Sequence, residues 1–289
     1  MRIASWNILH GQRLAAPTSE PIGAPSAPMS QPDGEEQRAN LAEIARFIFD
    51  SKIDVIGIQE IDAFQSRSGE HLQVDEITKD MNVLVSSKTS KYYGGFARTV
   101  MGTPGFSWRA LKGNEAAINF DDSEPSYGVG LISNIPIHNW HTLKLGRSLV
   151  GLPLAVPAAG KNGKPRMRFL YVKDEPRIAL AAELENGVTV AVTHLSFVPL
   201  VNLYQLWRVK RWLAKLPGKH ILMGDLNLPF NLPVRGKWKS LNPALSYPAW
   251  GAKVKFDYLL ADSEISHEAI ELAPSGFSDH LPVVADVAL

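Results

Sequence analysis

Polar side chains that can bind a metal ion or move a proton lie at the ends of several short apolar runs in this chain. In chain order they are Asn7, Glu60, His194, the pair Asp225 and Asn227, Asp257 inside the run 256–260, and the pair Asp279 and His280. Short apolar runs predict strands, and strand ends are positions from which a sheet can direct rigid side chains toward one point. Glu, Asp, Asn and His together, in a chain with no cysteine, indicate a hard-metal site with acid–base chemistry.

Each of these residues also has a structural interpretation when it is taken alone. Asn7 suits an amide that caps a turn, and Asp225 with Asn227 suits an Asx turn after a strand. Asp257 suits a structural hydrogen-bond acceptor, and a single His194 is more typical of a hydrogen-bonded core histidine. The occurrence of all of them at the ends of apolar runs favours the functional interpretation.

The elements that would position these residues are mostly short strands. Strands are predicted over 2–9, 54–60, 95–100, 116–120, 129–133, 168–173, 178–184, 188–193, 220–223, 256–260 and 281–287. Apolar residues at helical spacing predict helices over 35–50 and 202–216. Many short strands with few helices predict one α/β domain over residues 1–289, with two packed sheets and the helices outside.

Two connections stand out by composition. Residues 14–35 contain five prolines among Ser, Ala and Gly, and we expect an exposed, mobile loop there. Residues 145–166 are rich in Gly and Pro and too long for a simple hairpin turn, which predicts a long functional loop or lid.

Six segments, in this order along the chain, carry a family resemblance. They are Ser5-Trp6-Asn7, Ile58-Gln59-Glu60, Thr193-His194-Leu195, Gly224-Asp225-Leu226-Asn227, Phe256-Asp257-Tyr258 and Ser278-Asp279-His280. Together they resemble the endonuclease/exonuclease/phosphatase superfamily, whose members are similar to deoxyribonuclease I. The resemblance implies a four-layer α/β sandwich of two mainly antiparallel sheets flanked by helices. It also implies Mg²⁺-dependent hydrolysis of phosphoester bonds, with Mn²⁺ able to substitute.

The same resemblance implies roles at the metal and at the attacking water. Glu60 is the expected main metal ligand, with Asn7 and Asp279 near the same ion. Asp225 is expected to orient and deprotonate the water, while Asn227 helps to fix the nucleophile and the phosphate. This division suits Mg²⁺, which prefers few carboxylates and keeps several of its waters.

Further roles concern the phosphate. His280 is expected to contact the scissile phosphate, with Asp257 accepting its other ring N–H, and His194 to donate to the phosphate or to the leaving oxygen. Arg177 precedes a predicted strand where a phosphate-binding cation is expected, although a surface ion pair with Asp174 or Glu175 is an equal alternative. Glu115 is a candidate for the group that orients His194.

Composition limits the class of protein. Lys and Arg number 30 against 29 Asp and Glu, so no whole-protein field attracts nucleic acid and any grip on a polyanion must be local. The lack of cysteine excludes disulfides, thiolate metal sites and cysteine nucleophiles. No apolar run is long enough to span a membrane. We expect a cytoplasmic monomer without stable membrane insertion.

Basic residues bear on the substrate. The second helix carries Arg208, Lys210, Arg211 and Lys215 beside Trp207 and Trp212. Such a mix can stack bases and hold phosphates, but it is more typical of an amphipathic helix with a solvated basic face and partly buried tryptophans. A cluster of Arg235, Lys237 and Lys239 around Trp238 follows Asn227 and is expected near the metal, in competition with Lys253 and Lys255.

Three functions therefore stay open. The first is a phosphodiesterase acting on nucleic acid or a nucleotide. The second is a phosphohydrolase of a lipid head group or small phosphoester, similar to sphingomyelinases or inositol phosphatases, with apolar residues 149–156 meeting an acyl chain or membrane. The third is a non-catalytic binding protein on the same fold.

Overall fold

A computed structural model describes residues 1–13, 34–86, 90–116, 118, 120–159 and 165–289 of the chain. The helices described are α1 (Gly34–Asp50), α2 (Gln73–Leu84) and α3 (Val201–Leu213). The strands described are β1 (Arg2–Asn7), β2 (Val55–Ala63), β3 (Tyr93–Thr103), β4 (Ser107–Ala110), β5 (Ser126–Ser133), β6 (Ile137–Gly146), β7 (Leu152–Ala159), β8 (Pro165–Val172), β9 (Arg177–Leu184), β10 (Val188–His194), β11 (Lys219–Asp225), β12 (Lys239–Ser240), β13 (Asp257–Ala261), β14 (Ser266–Ile270) and β15 (Val283–Ala288).

The strands form two large sheets and one small one. Seven strands lie in the order β14-β15-β1-β2-β5-β3-β4, six in the order β12-β13-β11-β10-β9-β6, and β7 pairs with β8 alone. Within the large sheets, β1 with β2 and β10 with β11 are parallel, while the other pairs described are antiparallel. Each parallel pair brings two carboxyl ends to the same edge of its own sheet, because parallel neighbours end on the same side.

The layers follow from three apolar clusters. One cluster lies between the two large sheets and includes Ile3 and Val129 from one sheet and Val190 from the other. A second lies between the seven-stranded sheet and α1 and α2, and a third lies between the six-stranded sheet and α3. The predicted four-layer α/β sandwich with mainly antiparallel sheets is therefore confirmed.

Most predicted elements are confirmed within a few residues, and two predictions are wrong. Residues 116, 118 and 120 of the predicted strand 116–120 are not in a strand. The long loop predicted at 145–166 contains a strand instead: residues 152–159 pair antiparallel with residues 165–172. The glycines and prolines there suggested a loop, but a two-stranded arm outside the large sheets tolerates proline.

Other findings concern the predicted Pro-rich loop and the membrane. Residues 14–33 of that loop lie outside the described residues, and its last two residues begin α1. Among the described helices, none has the length and apolar character needed to cross a membrane.

Candidate active site

Strand pairing brings most of the predicted site residues together. Asn7 ends β1 beside Gln59 of the parallel strand β2, one residue before Glu60. His194 ends β10 opposite Asp225 at the end of β11, and Asp225 is opposite Asp257 at the start of β13. Because β1 also packs against β11, both sheets contribute to one site.

Asn7 joins the two halves of this site. Its Nδ2 donates to Glu60 Oε1 at 2.9 Å and to Asp225 Oδ2 at 3.3 Å. Its Oδ1 accepts the backbone N–H of Leu9 at 3.1 Å. Asn7 therefore fixes the spacing of two carboxylates that belong to different sheets.

Glu60 is presented by an irregularity in β2. The register between β2 and β5 shifts between Ile58 and Ile61, and Glu60 has a φ of 55°, in the left-handed region. A non-glycine residue held there costs on the order of 1 kcal/mol or more. The bulge turns the Glu60 side chain out of the regular alternation of the strand and toward Asn7.

His280 and Asp257 form a buried hydrogen-bonded couple. His280 Nδ1 lies 2.7 Å from Asp257 Oδ2, and both side chains are buried. Burial alone would lower the pKa of His280, but the charges of Asp257 and Asp225 outweigh it and raise that pKa to about 10. The imidazole is consequently a cation at neutral pH.

The backbone around His280 is held as firmly as its ring. The backbone N–H of His280 donates to Ser278 Oγ, and Trp6 Nε1 donates to the His280 carbonyl. The ring centroid of Tyr247 lies 4.9 Å from that of His280. These contacts leave Nε2 of His280 directed at Asp225 Oδ2, at 3.8 Å.

Asp225 occupies the centre of the site. Its Oδ1 accepts the backbone N–H of Asn227 at 3.0 Å, and its Oδ2 lies 3.6 Å from His194 Nε2. Burial, together with the charge of Asp257, raises the pKa of Asp225 to about 7, while His280 opposes the rise. A carboxyl group with a pKa near neutrality suits a general base.

His194 and Arg177 lie on the other side of Asp225. Burial, followed by the charge of Arg177, lowers the pKa of His194 well below its usual value, so the ring is neutral. Its Nδ1 has no hydrogen-bond partner among the described residues. Glu115 does not orient it, because Glu115 pairs with Arg109 at 2.8 Å. That candidate was wrong.

Arg177 lies beside both acidic residues of the alternative interpretation, so that ion pair is present, but it is buried and not at the surface. Its Nη1 lies 3.3 Å from Glu175 Oε1 and its Nη2 lies 3.5 Å from Asp174 Oδ1. Nη1 is close enough to Glu175 for charge attraction, yet Nε and Nη1 of Arg177 make no hydrogen bond within the described part of the chain. Two buried donors of one guanidinium are left available to a ligand, since such groups are normally satisfied.

Comparison with known proteins agrees with this geometry. The model of the endonuclease/exonuclease/phosphatase family matches residues 4–280. The chain belongs to that family.

Solved structures show the same fold at low sequence identity. An endonuclease/exonuclease/phosphatase from Beutenbergia cavernae DSM 12333 is 17% identical with a TM-score of 0.57, over 100% of this chain and 71% of that one. A mannosyl-6-phosphatase from Bacteroides thetaiotaomicron VPI-5482 is 12% identical with a TM-score of 0.56, over 100% of both chains. The human Nocturnin catalytic domain is 15% identical with a TM-score of 0.50, over 100% of this chain and 94% of that one. None of the curated proteins matches the chain.

The donor set fits a divalent cation. The pKa of Asp279 is raised first by burial, with further increases from Glu60 and Asp257, so the site crowds carboxylates that a bound cation would relieve. Asp225, Asp257 and His280 also place one ligand atom each within 4.8 Å of one another. In that group, however, the hydrogen bond between Asp257 and His280 already uses one possible ligand atom from each. Glu60 and Asp279, the ligands expected from the sequence, are not members of this group.

A second polar group, not predicted from the sequence, lies beside Glu60. His10 Nε2 lies 3.7 Å from Glu60 Oε2, and Arg67 binds the buried carboxylate of Asp62 through two hydrogen bonds of 2.8 and 2.7 Å. Arg67 Nη2 also lies 3.3 Å from His10 Nδ1. Asp62, two residues after Glu60 in the same strand, was the available signal, while nothing in the sequence indicated Arg67.

The basic cluster expected near the metal lies at the far end of its sheet. Lys239 pairs with Ala261, the end of β13 opposite Asp257, and Lys237 Nζ binds Asp262 Oδ2 at 2.8 Å. Trp238 is buried in the core under α3. The competing Lys255 is buried too, and its Nζ donates to Ser240 Oγ. Proximity in sequence to Asn227 was misleading because the chain turns back along the sheet.

Proposed function

We propose that this chain is a Mg²⁺-dependent phosphoesterase that hydrolyses a phosphodiester bond by in-line attack of water. The observation that carries the proposal is the convergence on Asp225 Oδ2 of His194 Nε2 at 3.6 Å, His280 Nε2 at 3.8 Å and Asn7 Nδ2 at 3.3 Å. One oxygen of the base Asp225 is thus surrounded by an imidazolium, a neutral imidazole and an amide, next to the carboxylate of Glu60.

Glu60 and Asp279 would hold the metal, with Asn7 beside them. The bound ion would neutralise phosphate oxygens and favour deprotonation of water. Asn7 reaches Glu60 through its amide N–H, so it also keeps the Glu60 carboxylate in place.

Asp225 is the proposed general base. With a pKa of about 7, its carboxylate accepts the proton of the attacking water at neutral pH. The Asn227 backbone N–H holds Oδ1 of Asp225, so the proton of the water would go to Oδ2, which also accepts a hydrogen bond from Asn7. The Asn227 side chain donates to the Leu195 carbonyl at 3.0 Å, so its part is to position the loop that carries Asp225.

The phosphate would lie between three donors. His280, a cation fixed by Asp257, donates through Nε2 to a phosphate oxygen as negative charge develops. Arg177 offers two unused buried N–H groups, and His194 donates from its neutral ring to the phosphate or to the leaving oxygen. This set stabilises an anion more strongly in the transition state than in the free substrate.

Two classes of substrate compete for the site. A nucleotide or nucleic acid is the first candidate from the sequence, and the fold shared with the mannosyl-6-phosphatase and Nocturnin structures does not decide between the classes. A lipid head group is the second, and it is favoured by the exposed side chains of Leu149 and Val150. They follow Ser148, whose backbone N–H donates to Asp174, the neighbour of Arg177. The non-catalytic alternative is disfavoured, because a binding protein has no need of the buried Asp257–His280 couple.

An activity screen with Mg²⁺ and Mn²⁺ tests the proposal. Substrates would be plasmid DNA, RNA, nucleotides, phosphoinositides and sphingomyelin, each with wild type, Asp225→Ala and His280→Ala. We expect losses on the order of 10²–10⁴-fold in both variants. His267→Ala, which alters a histidine on β14 away from the site, is the matched control and should keep full activity. Equal activity in wild type and Asp225→Ala would refute the role of the base.

A further inference from the structure

The outer face of α3 presents an unusual exposed stripe. Leu200, Tyr204, Trp207 and Arg211 follow one another at helical spacing, and the first three are 76%, 57% and 51% exposed. Tyr204 and Trp207 stack with ring centroids 5.8 Å apart, and the Arg211 guanidinium lies 4.9 Å from the Trp207 ring centroid. An amphipathic surface helix normally turns charged side chains outward, so apolar and aromatic residues there need a reason.

Two loops extend this stripe on either side. Gln205 Nε2 donates to the Gly146 carbonyl, which places the loop with Leu149 and Val150 beside α3. On the other side, Asn202 Nδ2 donates to the Asn227 carbonyl and Lys210 Nζ to that of Pro233, which places the loop with Phe230 there.

The tips of these loops are almost fully exposed. Leu149 is 92% and Phe230 is 90% exposed. We call Leu149, Val150, Leu200, Tyr204, Trp207 and Phe230 the apolar face. It adjoins the active site, because His194 precedes α3 and Asn227 begins the loop that carries Phe230.

The segment that carries most of this face is strongly basic. Residues 186–256 contain ten Lys and Arg and a single acidic residue, the buried Asp225, whereas the remainder of the chain has 20 basic and 28 acidic residues. Arg208 and Arg211 flank the stripe itself. Of these ten, Lys237 and Lys239 lie at the far end of the sheet and Lys255 is buried, so the charge beside the apolar face comes from α3. Arg208 and Arg211 there favour a negatively charged partner.

We propose that the apolar face docks on an anionic lipid surface and so brings a lipid-borne phosphoester to the active site. Tyr and Trp are suited to the membrane interface, Leu and Phe to the acyl boundary, and Arg to anionic head groups. Nucleic acid fits less well, because its contacts are polar and charged and leave the aliphatic side chains of Leu149, Val150 and Leu200 without a partner. The docking surface stands by itself, while the nature of the substrate rests on the proposed phosphoesterase function.

Co-sedimentation with vesicles tests the proposal without requiring hydrolysis. The full chain is mixed with vesicles of phosphatidylcholine, alone or with phosphatidylglycerol, and we expect tighter binding to the second. Leu149→Ser combined with Phe230→Ser should weaken binding about 100-fold, since burying each apolar side chain is worth about ten-fold or more. Arg211→Gln should lower the preference for phosphatidylglycerol about five-fold.

A matched control uses exposed apolar residues away from α3, in the helix layer and strand end of the seven-stranded sheet. Val83 in α2 and Leu289 after β15 are 78% and 47% exposed and lie outside the apolar face. Val83→Ser combined with Leu289→Ser should leave vesicle binding unchanged. An equal loss in this control, or self-association of the wild type with no binding to either vesicle, would overturn the proposal.

A soluble phosphodiester, bis(4-nitrophenyl) phosphate, separates this inference from the proposed function. Metal-dependent hydrolysis of it without vesicle binding would refute the docking surface and leave the phosphoesterase intact. Vesicle binding without hydrolysis of any phosphoester would support the docking surface and contradict the enzyme.

Discussion

Replacing Asp257 by Asn tests the electrostatic design of the site. The neutral amide can still accept a hydrogen bond from His280 Nδ1, now 2.7 Å from the Asp257 carboxylate, but it removes the charge that most raises the pKa of His280 to about 10. Without that charge, burial lowers the pKa of His280 toward its ordinary value of 6.5, opposed by the remaining charges of Asp225 and Asp279. At a pKa of 6.5 the imidazolium fraction at pH 7.5 is about a tenth.

The expected loss in kcat is on the order of 10²-fold at pH 7.5, of which about ten-fold comes from the missing cation and the rest from weaker orientation. Since protonation restores the imidazolium, the ratio of variant to wild-type kcat should rise as the pH is lowered from 7.5 to 5.5. Removing the charge of Asp257 also lowers the pKa of Asp225, so the variant keeps its base ionised at a lower pH than the wild type does, which raises the ratio further. Initial rates with saturating substrate give the ratio, and thermal unfolding checks that the variant is folded. A ratio that does not change with pH would refute the reasoning.

Three further outcomes concern stability and the metal. Asp262→Asn should cost about 2 kcal/mol in urea unfolding, because Asp262 accepts charged hydrogen bonds from His220 and Lys237 at 2.7 and 2.8 Å. Burial raises the pKa of Asp262, but these two partners outweigh burial and lower it below 3.8. The stability that Asp262 contributes is therefore present above pH 3.8 and is lost as the pH falls through the lowered pKa. The variant should lack this contribution at every pH. Burial lowers the pKa of Lys255 from 10.5 to about 8. Between pH 8 and pH 10.5 the unfolded chain therefore binds one more proton than the folded chain, and the stability of the wild type should rise with pH. Lys255→Met should show no such rise. Glu60→Gln should raise the Mg²⁺ concentration for half-maximal activity about ten-fold or more, as titration after chelator treatment would show, and an unchanged requirement would exclude Glu60 as a ligand.

The convergence of the site was predictable because strand ends are visible in the sequence. The apolar runs before Asn7, His194 and Asp225 marked three of the strands, and each parallel pair brings its strand ends to one edge of its own sheet. The helix predicted at 35–50 was equally clear, since its apolar residues repeat at helical spacing and are buried in α1.

Other elements carried weaker signals. In α2, Val74, Ile77 and Met81 are buried at helical spacing among polar residues, which made the helix easy to overlook. The edge strand β6 is mostly half-buried or exposed, so its alternation of apolar and polar residues is poor.

Long-range placement was beyond the sequence. Lys237 and Lys239 are close to Asn227 along the chain, yet the polypeptide returns along the sheet before they occur. The hydrogen bonds of Arg67 to Asp62, and the burial of Arg177, depend on contacts between distant segments that no local pattern encodes.

A crystal structure with Mn²⁺ and phosphate bound tests the central claim most directly, because the anomalous signal of manganese locates the ion. We expect the ion at the carboxylates of Glu60 and Asp279, with the phosphate held by His194, His280 and Arg177. Manganese bound instead between Asp225, Asp257 and His280, with the hydrogen bond of His280 to Asp257 broken, would contradict the account.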